Sequence, residues 1–133
     1  MRTALDSSVL LDVITDDPTF ADGSEAALRK VAREGVLIVC ECVLAEIRPA
    51  FPDGKVDEFL EDWQIEFVPS TRDSALLAGQ MFGAYLRRRP QVSGRVIPDF
   101  MIGAHAVMTA DRLLARDRGY LRDYFRKLKL LTP

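Results

Sequence analysis

Val36-Leu37-Ile38-Val39, with Gly35 before it and Cys40-Glu41 after it, is the stretch that decides the fold. A continuous apolar run of this length reads as a strand buried on both faces, as in a parallel sheet. Upstream, Ser24 to Arg33 carries Ala27, Leu28, Val31 and Ala32 at i, i+1, i+4 and i+5, one helical stripe, and Gly35 sits just past its end as a stop. Further back, Arg2-Thr3-Ala4-Leu5 is a short β-compatible run. It ends at Asp6-Ser7-Ser8, a turn or helix-cap signal, and Val9 to Ile14 then reads as a short helix stopped by Asp16-Asp17-Pro18.

Downstream, Glu41 to Arg48 reads as a helix closed by Pro49, and Val56 to Trp63 as another. Ile65 to Val68 alternates like a strand. Ser70-Thr71-Arg72-Asp73 resembles a capping box, and it opens the longest predicted helix, with Ala78, Met81, Phe82 and Tyr85 on one stripe, to about Arg88. Pro90 to Val96 is a polar loop. Pro98 suits the first turn of a helix running from Asp99 to Met108. Leu113 to Ala115 is strand-like, Tyr120 to Phe125 a helical turn and Leu128 to Leu131 a last strand. Strands alternating with helices predict a three-layer α/β/α sandwich around a short, mostly parallel sheet, as one domain over residues 1–133.

Composition narrows the class. A hydrophobic fraction of 48% with 29% charged residues is globular, which excludes a wholly disordered chain. No apolar run approaches the ~20 residues of a membrane helix, and the N-terminus lacks a basic-then-apolar export pattern. A cytoplasmic location with no membrane partner is the expectation. Cys40 and Cys42 are too close in sequence to bond to each other without strain, and read as reduced core thiols. A zinc site would need further ligands, and the sole histidine is His105. The net charge of −2 hides an asymmetry: Met1 to Glu66 holds 15 acids and 6 bases, Phe67 to Pro133 holds 5 acids and 12 bases. The second half is rich in arginine (Arg87, Arg88, Arg89, Arg95, Arg112, Arg116, Arg118, Arg122, Arg126). Such a face either balances the acidic half after folding or meets a polyanion or an acidic peptide.

In open parallel sheets a site lies beyond the carboxyl ends of the strands. Asp6 and Asp117 directly follow strand candidates. Glu46 and Asp99 sit on helices among apolar neighbours, where a carboxylate is costly to bury unless paired or metal-bound. Asp99 shares a helix face with the small residues Gly103 and Ala106. Singly, each acid is also accounted for as a cap, a solvated side chain or a local ion pair, with Arg48 near Glu46 and Arg116 and Arg118 flanking Asp117. Four carboxylates converging would need a cation or raised pKa values, because two like charges 4 Å apart repel by about 4 kcal/mol at an effective dielectric of 20. Hard oxygen ligands point to Mg²⁺ or Mn²⁺, and beside an arginine-rich face that cation suggests phosphodiester hydrolysis.

Four segments carry a resemblance: Leu5-Asp6-Ser7-Ser8-Val9-Leu10-Leu11-Asp12, Val43-Leu44-Ala45-Glu46-Ile47, Ile97-Pro98-Asp99-Phe100-Met101-Ile102-Gly103-Ala104-His105-Ala106, and Leu113-Leu114-Ala115-Arg116-Asp117-Arg118-Gly119-Tyr120. In order and over nearly the whole chain, they resemble the PIN domain, specifically the VapC-like toxins of toxin–antitoxin pairs. The resemblance implies a Mg²⁺- or Mn²⁺-dependent ribonuclease with Asp6, Glu46, Asp99 and Asp117 as the catalytic, metal-binding acids. It also implies that Ser8 supports the first acid, that the chain forms homodimers, and that a co-encoded antitoxin inhibits it. Ala115 departs from the pattern, standing where many relatives carry a hydroxyl residue.

His105, six residues after Asp99 and so ~120° round the helix, reads as structural. Asp12, Asp16 and Asp17 read as solvated or capping, and Asp111 as a turn residue. Trp63 and Phe67 read as core or dimer contacts, and the Met81, Phe82, Tyr85, Leu86 face as core or a partner surface. Two other functions compete with the nuclease. One is a phosphorylated receiver-like domain, which would need paired acids after the first strand, where Ser7-Ser8 stands. The other is a PIN-like fold that binds RNA or a protein partner without significant cleavage.

Overall fold

The chain's structure is a computed structural model that describes residues 1–88, 97–116 and 120–133. Among the described residues, five strands form one sheet: β1 (Arg2–Leu5), β2 (Val36–Val39), β3 (Ile65–Phe67), β4 (Arg112–Leu114) and β5 (Leu130–Leu131). Their order is β3-β2-β1-β4-β5, and every pairing is parallel. The run Val36 to Val39 is β2, inside the sheet, with Leu37, Ile38 and Val39 buried as an apolar strand between two layers requires.

Seven helices flank the sheet among the described residues: α1 (Ser7–Ile14), α2 (Ala21–Glu34), α3 (Glu41–Ile47), α4 (Val56–Asp62), α5 (Arg72–Arg88), α6 (Ile97–Thr109) and α7 (Tyr120–Tyr124). The connections from β1 to β2 and from β2 to β3 run one way across the sheet, and those to β4 and β5 run the other way. Right-handed crossovers therefore place α1 to α4 on one face and α5 to α7 on the opposite face. Packing agrees, with α1 against α2 and α3, and α6 against α5 and α7. α3 also meets α6. β1 and β4 are the neighbouring strands whose outgoing connections diverge, which makes the carboxyl end between them the switch point where open sheets place their sites.

The predicted elements match, with local differences at their ends. Pro49 does not stop the chain after α3 but sits in a 3₁₀ turn, Arg48–Ala50, which tolerates its missing N–H. The capping box at α5 is one residue later than Ser70 to Asp73. The Ser74 amide donates to Thr71 Oγ1 (3.1 Å), and the Thr71 amide donates to Ser74 Oγ (2.8 Å). Serine thus does the work of the expected acid. On the far layer, Phe82 and Tyr85 of α5, Phe100 of α6, and Tyr124 and Phe125 form one aromatic cluster with ring centroids 5.5–6.3 Å apart. The stripe Met81, Phe82, Tyr85, Leu86 is therefore core-facing. The small residue Gly103 serves the same packing: a Cβ there would stand 2.6 Å from the Phe125 ring and 3.0 Å from Leu121. The loop expected over Pro90 to Val96 lies outside the described residues.

Candidate functional site

Asp6 is the residue at which β1 leaves the sheet. Its amide donates to the Leu114 carbonyl of β4 (3.0 Å), so the strand pairing carries it to the switch point. There it caps α1: Oδ2 accepts the Ser8 amide (3.1 Å) and the Ser8 hydroxyl. Both bonds fall on Oδ2, and among the described residues nothing is bonded to Oδ1. The Ser8 hydroxyl also accepts the Arg116 amide (3.2 Å), the first backbone group beyond Ala115. Ser8 thus supports the first acid, as the resemblance implied, and ties the β4 exit to the β1 exit.

Glu46 is brought to the same strand end by a residue the sequence reading passed over. Ser7, next after Asp6, donates its hydroxyl to Glu46 Oε1 across 3.0 Å. The carboxylate of α3 therefore lies one residue from Asp6, on an exposed position of its helix. Asp99 occupies the first turn of α6, half-buried, on a helix that packs against α3. Asp117 follows Arg116 directly and lies outside the described residues. Among the described residues, no group of three or more His, Cys, Asp and Glu side chains is gathered closely enough to hold a metal ion. Ser8 bonds Asp6 and the adjacent Ser7 bonds Glu46, which sets these two carboxylates at one strand end. Their donor set is all hard oxygen, which suits Mg²⁺ or Mn²⁺ and not zinc.

Asp12 overturns its reading as a solvated or capping residue. It is 3% exposed. Its two oxygens accept Arg116 Nε and Nη2 in a bidentate pair, both at 2.9 Å, and Oδ2 also accepts the fully buried Ser24 hydroxyl (2.7 Å). Arg116 was expected beside Asp117 as a local ion pair; its side chain instead runs back to α1. Its guanidinium also stacks on Phe20, 4.1 Å from the ring centroid. Asp17 holds that ring's backbone by accepting the Thr19 and Phe20 amides at 2.8 and 2.9 Å. Those two amides, with a smaller contribution from the Arg116 charge, keep Asp17 below the usual carboxylate range.

Two arginines therefore leave the basic face that the second half of the sequence suggests. Arg116 is committed to Asp12, and Arg112 is 5% exposed, bonded to Thr3 Oγ1 (2.9 Å) and Glu34 (2.6 Å) at the opposite end of the sheet. Asp111 holds the same end together, accepting the Arg2 amide at 2.7 Å. Trp63 is half-buried with Arg29 over its ring at 5.1 Å, while Phe67 is 49% exposed. The cysteines are free thiols. Burial raises both, Cys42 to about 11, so neither is a nucleophile at neutral pH.

His105 is structural. It is 1% exposed, and its Nε2–H donates to the Val68 carbonyl at the β3 exit across 2.7 Å. Burial lowers its pKa, outweighing that bond. As pH falls, the unfolded chain takes up this proton first, so the stability is present above the unfolded value of about 6.5 and is lost below it. Wild type is expected to lose stability between pH 7 and pH 5.5 that His105→Gln does not lose. Urea titrations of both proteins at the two pH values measure this, and parallel losses would contradict it.

No protein-family model and no curated protein matches the sequence. Solved structures do match in fold. VapBC2 from Rickettsia felis, bound to a DNA fragment from its promoter, matches with a TM-score of 0.67 at 19% identity, over 99% of this chain and 98% of that one. DNA-bound VapBC from Salmonella typhimurium matches with a TM-score of 0.70 at 15% identity, over 99% and 98%. FitAcB from Neisseria gonorrhoeae matches with a TM-score of 0.67 at 17% identity, over 97% and 96%. Over its whole length, this chain has a fold similar to that of chains in VapBC complexes.

Proposed function

We propose that the chain is a Mg²⁺- or Mn²⁺-dependent endoribonuclease and the toxin of a toxin–antitoxin pair, with RNA as substrate and an antitoxin protein as partner. The observation that carries this reading is the arrangement of Asp6: oriented by Ser8 at the switch point, with Oδ1 unbonded among the described residues and Glu46 held beside it by Ser7. The fold shared with VapBC structures supports it. Asp6, Glu46, Asp99 and Asp117 would hold the cation. The chemistry such a cation would supply there is polarisation of a phosphate and a lowered pKa of bound water, giving a nucleophile at neutral pH.

The protein's own groups have definable tasks. Ser8 fixes the rotamer of Asp6, and Ser7 fixes the approach of Glu46. No side chain near the β1 exit is a histidine available as a base, since the chain's one histidine is engaged with Val68. The receiver-like alternative finds no second acid after β1, where Ser7 and Ser8 are both occupied in hydrogen bonds to carboxylates. The test is cleavage of an end-labelled single-stranded RNA in Mn²⁺. Cleavage that stops in EDTA and returns with excess Mn²⁺ agrees with the proposal; cleavage that continues in EDTA overturns it. RNA binding with no cleavage in Mn²⁺ would favour a binding module.

A further inference from the structure

Phe20 is an exposed aromatic that the fold holds in place. The residue is 42% exposed. Its backbone precedes α2 and is pinned by Asp17, whose Oδ1 takes both the Thr19 and Phe20 amides. One face of the ring is braced by the Arg116 guanidinium at 4.1 Å. That guanidinium is itself locked by the bidentate bonds to Asp12, which is 3% exposed and bonded in turn to buried Ser24.

The same network fixes where the platform stands. The Arg116 amide bonds the Ser8 hydroxyl, which bonds Asp6. The ring therefore lies one arginine side chain away from the Ser8–Asp6 pair, on the α1–α2 side of the switch point. Arg116 is a poor phosphate ligand here, because Asp12 neutralises it directly and Asp17 is close enough for their charges to interact. What this corner offers is a rigid π-face, backed by a cation, beside a site proposed for a nucleic acid.

We infer that Phe20, braced by Arg116 and Asp12, is a stacking platform for an unpaired base of single-stranded RNA near the scissile phosphate. Base–aromatic stacking depends on the π-face and tolerates any base, so the platform positions substrate without reading sequence. The inference rests on the ribonuclease reading and names how that site would hold its substrate. A protein segment covering the ring is the competing occupant. The neutralised guanidinium gives such a segment no anchoring charge, whereas a flat base needs none.

The experiment uses the full chain with short fluorescein-labelled single-stranded RNAs. Affinity is read by anisotropy with Ca²⁺ in place of Mn²⁺, and KM by cleavage in Mn²⁺. Phe20→Leu is expected to raise Kd and KM by roughly 5-fold to 150-fold, the range of one base stack, with kcat little changed. An RNA series with one abasic position moved along the strand should show one position that weakens wild type and leaves Phe20→Leu unaffected. Phe20→Trp should retain affinity, and RNA should quench emission beyond that of Trp63. Should Phe20→Leu fold poorly, the Phe20→Trp quench and the wild-type abasic series carry the test. Wild type that cleaves RNA with no abasic-sensitive position, or Phe20→Leu with unchanged Kd and KM, overturns the platform and leaves the ribonuclease standing. Wild type that neither binds nor cleaves RNA overturns the ribonuclease reading and the platform together.

Discussion

Arg116→Leu is expected to lower the unfolding free energy by about 3 kcal/mol, and the melting temperature by roughly 10 °C. The cause is the charge left behind. Asp12, 3% exposed, would keep the Ser24 hydroxyl but lose both guanidinium bonds. Removing one partner of a buried pair costs about 3–5 kcal/mol. The low end applies because the Arg116 side chain is 34% exposed. The double variant Asp12→Leu with Arg116→Leu should recover much of the loss, since apolar replacements of both partners leave no unpaired charge. Disrupting the exposed pair of Arg29 and Glu25 should by contrast cost under about 1 kcal/mol. Urea denaturation of these variants decides the matter, and a loss below about 1 kcal/mol for Arg116→Leu would show that the pair behaves as a surface contact.

The second large effect is on catalysis. Asp6→Asn, Glu46→Gln, Asp99→Asn and Asp117→Asn are each expected to slow RNA cleavage at least about 100-fold, a barrier increase of about 2.7 kcal/mol or more. Each would remove a formal charge and a carboxylate oxygen from the proposed cation-binding acids while leaving the side-chain volume nearly unchanged. Ser8→Ala should fall short of this, on the order of 10-fold, because Asp6 would keep the Ser8 amide and lose only the hydroxyl that orients it. His105→Gln should cleave at close to the wild-type rate at pH 7, because His105 bonds Val68 and no group of the site. Single-turnover rates in Mn²⁺ test the series. Loss of activity in His105→Gln, with activity kept in the four carboxylate variants, would mean that acid–base chemistry and not a cation drives the reaction.

The contrast between Asp12 and Glu46 shows what the sequence could and could not tell. β2 was legible because four apolar residues in a row have one common explanation, a strand covered on both sides. Helix periods and stops located α2, α5 and α6 within a few residues for the same reason: they are local. Asp12 sits in Leu10-Leu11-Asp12-Val13-Ile14, an acid among apolar neighbours, which is the criterion that singled out Glu46 and Asp99. It reads as solvated or capping from sequence because its partner, Arg116, is 104 residues away, and no local pattern joins them. Ser7 is similar: a serine after a strand is an ordinary cap signal until α3 brings a carboxylate to it. The shift of the α5 cap from Ser70 to Thr71 is a different failure, since either hydroxyl satisfies the local pattern and β3's exit decides between them. The basic excess of the second half is plain in the composition, but burial of Arg112 and pairing of Arg116 depend on strand order, which composition does not contain.

Binding of Mn²⁺ to the intact chain, followed by its melting temperature, tests the central claim that the acids at the β1–β4 exit share one cation. A ligand bound only by the native state stabilises by about 2.7 kcal/mol at a hundred times its Kd. The account predicts a rise of several degrees for wild type in millimolar Mn²⁺, reversed by EDTA and absent in Asp99→Asn and Asp6→Asn. No rise in wild type, or an equal rise in wild type and both variants, would contradict it.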